Sequence, residues 1–254
     1  MTTNGPRTVL NLAWAVFGAL HVISWHQKAR PIPIASILPE LRREPRQTPT
    51  DPTPFAFSYR GRPYNVKPLA AYDLAGLVVS HNDIGGLADI YHTKDSLDTK
   101  DVCVIWGDNV ATEDFHRVKF WNGPWTCYWR YPDGVRTAAS QVSNNHLITQ
   151  SDSIRQAIAR VRVGDQIRVR GRLVAYQDAA HAEFWRTSSL TRGDTGNGAC
   201  EVVLVENLEI LKAGAPGWWT LYLLSLGGLG ALAALELVEN LEILKAGAPG
   251  WWTL

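Results

Sequence analysis

The chain reads as a mainly β domain, a small barrel or sandwich with one short helix, flanked by N- and C-terminal transmembrane helices. Three observations predict this. Two stretches without a charged side chain, Thr8 to Gln27 and Ala213 to Leu235, bracket the sequence. Between them, aromatic or β-branched runs alternate with clusters of Gly, Asn, Asp and Pro, which is the pattern of short strands and turns. Only IRQAIARV, in that middle region, places apolar residues at helical spacing.

A helix rises about 1.5 Å per residue, so a hydrocarbon core of roughly 30 Å needs about 20 residues, and both end runs meet that length. After a tail over 1–7, the first span is expected over 8–27. It carries Asn11 and His21, and Trp25 stands where an interfacial anchor belongs. The second span, over 213–235, contains WWTLYLLSLGGLGALAAL, whose Gly227, Gly228 and Gly230 permit close helix packing in lipid.

Residues 28–54 hold seven prolines, from Pro31 to Pro54, and read as a semi-rigid spacer. The β-rich domain is expected over 55–212. FAFSY and PYNVKPL flank Arg60-Gly61-Arg62 as a hairpin, and YDLAGLVVS, DVCVIWG, HRVKFW and TCYWRY follow as strands. Ser143-Asn144-Asn145-His146 reads as a turn before the helix, which Ser151 to Ser153 can cap. GDQIRVRGRLVAY then alternates strictly, with Ile167, Val169, Gly171 and Leu173 on one face and Arg168, Arg170 and Arg172 on the other. FWRTSSL and CEVVLVENLEIL supply further strands.

Leu204 to Leu221 and Leu237 to Leu254 are the same residues, LVENLEILKAGAPGWWTL. Identity at every position marks a recent duplication or an assembly error, since structural repeats drift. The second copy, within the tail 236–254, is expected to be disordered or loosely helical and without function.

Roughly 190 residues between the spans suit one tethered domain with its own core. With 25 basic against 24 acidic residues, bulk charge gives no support to a nucleic-acid partner. The expected partners are membrane lipid and a protein in the membrane or envelope; nucleic acid is not expected. The address is a bacterial cytoplasmic membrane, with two signals disagreeing about the face. Lys28, Arg30, Arg42, Arg43 and Arg46 follow the first span, which keeps the domain inside by the positive-inside rule. Cys103 and Cys127, each in a strand, pair if the compartment oxidises; otherwise they are ordinary buried thiols.

The stripe of Arg168, Arg170 and Arg172 can grip phosphates, or lie neutralised opposite Asp and Glu on an exposed sheet face. Trp121, Trp125 and Trp129 are candidates to join it in a ligand-binding surface, against a packing role. GDQIRVRGRLV with EVVLVENLEIL resembles strands of OB-fold barrels, which implies an architecture rather than a ligand.

Cys200, after the flexible GNGA, invites a nucleophile reading with His146 as base and Asn144 or Asn145 as orienter. Sortase-type transpeptidases also combine a small barrel with Cys, His and Arg, and Arg192 would be the third member; their Thr-x-x-Thr-Cys strand is missing around Cys200. The alternative is a buried strand cysteine. Asp194 and Asn197 in GDTGNG lack the oxygen ladder of a calcium loop and read as a plain turn. His81, His92, His116, His146 and His181 are scattered without metal-site spacing, so neither a metal nor a cofactor is expected. YDLAGLVVSHNDI, DVCVIWGDNV, SNNHLIT, RVGDQIRVRG and DTGNGACEVV together resemble uncharacterised bacterial membrane-anchored proteins, a resemblance that carries no activity or catalytic residues.

The sequence therefore favours a membrane-tethered β domain that binds a partner or assists an assembly. A Cys-His acyl-transfer enzyme centred on Cys200 and an OB-type nucleic-acid binder stand as alternatives.

Overall fold

The computed structural model describes residues 5–28, 30, 32–86, 96–123, 125–181, 183–194 and 198–247. His92 and Asn197 lie outside them. Two units divide the chain: Met1–Arg30 with Ala215–Leu254, and Pro31–Gly214.

In the larger unit, β1 (Arg46–Thr48) is followed by β2 (Phe55–Tyr59) and the 22-residue β3 (Arg62–Asp83). Arg60 and Gly61 both take positive φ, 49° and 77°, the two-residue turn whose twist matches a hairpin, so β2 and β3 pair in the register Tyr59↔Arg62. β4 (Asp98–Ile105) pairs antiparallel with β3 and with β7 (Val142–Ile148). β5 (Lys119–Asn122) and β6 (Cys127–Arg130) form a separate two-stranded sheet.

After β7 comes α2 (Asp152–Arg160), where the Ser151 hydroxyl accepts from the Ile154 amide as the N-cap. β8 (Gln166–Asp178), the short β9 (Arg186–Thr187) and β10 (Glu201–Lys212) complete the unit. β10 runs parallel to β7 and antiparallel to β8, and β8 runs antiparallel to β3. The pairings therefore run β3, β4, β7, β10, β8 and return to β3.

The alternation in β8 has its expected consequence. Ile167, Val169 and Leu173 are buried with Val102, Leu147, Val203 and Trp106, and Ile158 and Val161 of the α2 segment pack into the same core. Gly171 lies so close to β10 that a Cβ there would sit 2.1 Å from the Leu204 carbonyl oxygen.

Two expectations about this unit need correction. Residues 31–54 are not a free spacer. Leu41 has no solvent exposure, Ile37 is buried, and β1 pairs with β3, because the apolar residues between the prolines seat on the sheet. The SNNH run is not a turn but the middle of β7, whose seven residues are all buried. Side-chain hydrogen bonds, Asn145 to Ser143 within the strand, His146 to Asp101 and Asn144 to Asn122, offset the low strand preference of Asn and Ser.

In the smaller unit, α1 (Gly5–Lys28) and α3 (Trp218–Gly247) pack antiparallel. Windows over Arg7–Lys28 and Trp218–Val238 are long and apolar enough to cross a membrane. Gly228 admits the Phe17 ring, Trp14 donates to Glu236 at 2.8 Å, and His21 lies 3.2 Å from Ser225. Small residues and a few polar pairs are what hold helices together where lipid removes the hydrophobic drive.

The duplicated sequence takes two conformations. LVENLEILK is strand at Leu204–Lys212 and helix at residues 237–245. The tail copy is thus an extension of α3 as far as Gly247.

Candidate active site

Cross-strand register assembles the site. Asp101 of β4 faces His146 of β7, and two pairs along Cys103 faces Asn144 on the same side of the sheet. The intervening pair, Val102 and Asn145, points to the opposite face. β10 begins beside Asn145, which brings Cys200, the residue just before it, next to Asn144 and His146. The Cys200 carbonyl is fixed by the Ser189 amide at 3.0 Å.

His146 Nδ1 lies 2.5 Å from Asp101 Oδ1, with both side chains buried. That bond assigns Nδ1 the proton and leaves Nε2 3.5 Å from the Asn144 amide nitrogen, which itself reaches Cys200 Sγ at 3.7 Å. Burial opposes charge on His146, but the bonds to Asp101 and Cys200 outweigh it and raise its pKa to about 9. Burial likewise pushes the Cys200 thiol up; the His146 hydrogen bond and charge, with Thr126 and Asn144, outweigh it and leave the thiol below its ordinary value. Both shifts favour the same direction of proton transfer, from the Cys200 thiol to the imidazole.

A chain of amides orients the remaining donor. Ser80 Oγ donates to Asn122 Oδ1 at 2.6 Å, and Asn122 Nδ2 donates to Asn144 Oδ1 at 3.1 Å. The Asn144 NH2 is therefore left facing Cys200 Sγ at 3.7 Å and His146 Nε2 at 3.5 Å. From the other side, Thr126 Oγ1 lies 3.3 Å from Sγ, and the Trp125 carbonyl 3.7 Å. Thr126 belongs to the turn of the β5–β6 hairpin. A disulfide between Cys103 and Cys127, with Cα atoms 5.9 Å apart, fastens that hairpin to β4.

The thiol opens into a cleft of about 1670 Å³, lined among others by Tyr64, Trp125, Tyr128, Trp129, Tyr176, Phe184 and Trp185. This exceeds the roughly 300–1,000 Å³ of a pocket for a small ligand. Arg186 is paired with the buried Asp98, which also accepts from the Tyr176 hydroxyl at 3.2 Å.

The other sequence candidates are placed as follows. Asn145 bonds to Ser143 Oγ at 2.9 Å on the core side, away from the thiol, so it is not the orienter; strand alternation separates it from His146. Arg192 is not a third member either. It pairs with Glu201 at 2.5 Å and lies over the Tyr72 and Trp106 rings, while burial pushes Glu201 up to about 7. Cys200 is half-buried and precedes the strand rather than lying within it. Asp194 accepts from Ser189 at 2.5 Å.

Each arginine of the β8 stripe has a carboxylate: Arg168 grips Asp73 with two bonds at 2.6 and 2.8 Å, Arg170 meets Glu209 at 3.3 Å, and Arg172 meets Glu206 at 2.7 Å. Trp125 and Trp129 line the cleft, whereas Trp121 stacks on Tyr128 with ring centroids 5.6 Å apart. Among the described residues no three His, Cys, Asp or Glu side chains are grouped as metal ligands would be.

Asp101 is the residue that sequence reasoning missed. Its only signal was an acid heading an apolar strand, DVCVIWG, and strand pairing alone brings it to His146. No known protein family matches the chain, and neither a curated protein nor a solved structure is significantly similar to it.

Proposed function

We propose that the protein is a membrane-tethered acyl-transfer enzyme in which Cys200 is the nucleophile, His146 the acid and base, and Asp101 the residue that positions the imidazole. One observation carries this reading: His146 and Cys200 both line the cleft, with His146 Nδ1 held from behind by the buried Asp101 carboxylate and the Asn144 amide reaching both Nε2 and the sulfur.

The Cys200 thiolate attacks the carbonyl carbon of an ester, amide or thioester. A C–S bond forms and the carbonyl oxygen takes the negative charge. As it returns, the bond to the leaving group breaks, and His146 Nε2 gives that group its proton. Water or an amine then attacks the resulting thioester, loses its proton to Nε2, and releases the thiolate. Asn144 Nδ2 stabilises the thiolate between turnovers.

The circuit of five strand pairings, with α2 between its third and fourth members, supports an OB-type barrel as the scaffold. Neutralised arginines argue against nucleic acid as its ligand. The Cys103–Cys127 disulfide favours the oxidising face of a bacterial cytoplasmic membrane over the inner face that the basic residues after α1 favour.

Iodoacetamide alkylation of Cys200 in the detergent-solubilised full chain tests the reading. The expected rate stays high well below the ordinary thiol pKa and falls about tenfold or more at pH 7 in His146→Ala. A rate equal to free cysteine, unchanged in the variant, would sink the proposal.

A further inference from the structure

The cleft has walls of a particular kind. Residues 125–129 line it consecutively, and so do 183–187. Successive side chains of a strand point opposite ways, so three lining residues in a row within β6, 127–129, place the cleft along that strand's edge, past its main-chain groups. On one side that edge is β6, which pairs only with β5 among the described residues. Among the described residues its other edge has no neighbouring strand.

An open strand edge inside a cleft selects its occupant by hydrogen bonding, and the matching ligand is another extended main chain. Acyl chains and glycans lack the alternating donors and acceptors. Charge adds a second constraint. The arginines lining the cleft are each matched, Arg62 to Asp178, Arg186 to Asp98 and Arg192 to Glu201, leaving no surplus for a phosphate group. The exposed rings of Trp125, 53% accessible, and Phe184, 65%, offer apolar contact for side chains of a neutral segment. The β6 edge also leads to the sulfur, since Cys127 opens the strand and the preceding Thr126 touches Sγ.

We infer that the cleft takes an extended polypeptide, which adds as a third strand to the open edge of β6 and brings one main-chain carbonyl to the Cys200 sulfur. This rests on the thiol reading above and names its substrate class.

The test uses full-length protein in nanodiscs and four chloromethyl ketones: a neutral tetrapeptide, two analogues with N-methyl groups on its odd or on its even main-chain nitrogens, and a dodecanoyl chain. The second-order rate of Cys200 modification is read by mass spectrometry. A paired strand turns alternate amides toward β6, so one methylated analogue reacts about tenfold more slowly than the parent and the other keeps its rate. The tetrapeptide also outpaces the dodecanoyl probe. Equal rates for both methylated analogues, or a faster dodecanoyl probe, overturn the assignment while a His146-dependent thiol leaves the enzyme reading standing. A thiol no more reactive than free cysteine removes both.

Discussion

Asp101 and His146 sit directly opposite each other on β4 and β7, and their side chains meet at 2.5 Å in the protein interior. The carboxylate both fixes the imidazole tautomer and supports its positive charge. In Asp101→Asn the geometry is kept and that support is lost, so the His146 pKa falls and the Cys200 thiolate loses its partner. The expected result is a drop of about tenfold in Cys200 alkylation at pH 7 per unit of thiol pKa regained, with the pH–rate midpoint moving up. An unchanged midpoint would show that Asp101 plays no part in activating the thiol.

Stability should respond to pH with a definite sign. His146 titrates near 9 in the folded protein, above its ordinary 6.5, so its contribution is complete below pH 6.5 and is lost as pH rises toward 9. Cys200, held below its ordinary 9.0, contributes above that value and loses its contribution as pH falls through the folded pKa. The two trends offset each other in the native chain. Cys200→Ala leaves His146 with Asp101 alone, and its Tm, followed by circular dichroism, should decline by a few degrees as pH rises from about 6.5 through the folded His146 pKa, relative to wild type. A Tm that rises over that interval contradicts the charge assignment.

The disulfide joins residues separated by 24 positions, and it anchors the hairpin wall that carries Thr126 and Trp125. Opening it by the double change Cys103→Ser and Cys127→Ser should cost roughly 3 kcal/mol in urea unfolding of the solubilised chain. It should also slow Cys200 alkylation, because Thr126 is then no longer held against the sulfur. Full alkylation rate in a destabilised variant would separate the wall from the chemistry.

Gly171 is the point where β8 and β10 leave no room for a side chain. Gly171→Ala forces the strands apart over the core that contains Leu173 and Val203, at a cost of roughly 3 kcal/mol. Denaturation midpoints read this directly, and a midpoint equal to wild type would mean that the approach is looser than described.

Local chemistry was legible in the sequence wherever it acts over a few residues. Arg60-Gly61 announced its turn, Ser151 its cap, and the β8 alternation its buried and charged faces. Long-range pairing was not. Nothing in SNNH states that β4 will run beside it, so a polar strand looked like a loop and its histidine lacked a carboxylate. Pro68 sits inside the long β3 because the register shifts between Pro68 and Ala70, an accommodation that a proline-based break rule does not foresee. The prolines of 31–54 misled in the other direction, since Leu41 and Ile37 between them are anchored in the core.

The nine residues LVENLEILK occur once as the sheet's last strand and once as helix, within a single polypeptide. Neither shape belongs to the words themselves; lateral hydrogen bonding decides one and an apolar run upstream decides the other. The strand copy is held by its pairs with β7 and β8, and the helical copy by its continuity with α3. Truncation after Glu236 should therefore leave the pairing of β10 with β7 and β8, and its unfolding midpoint, unchanged.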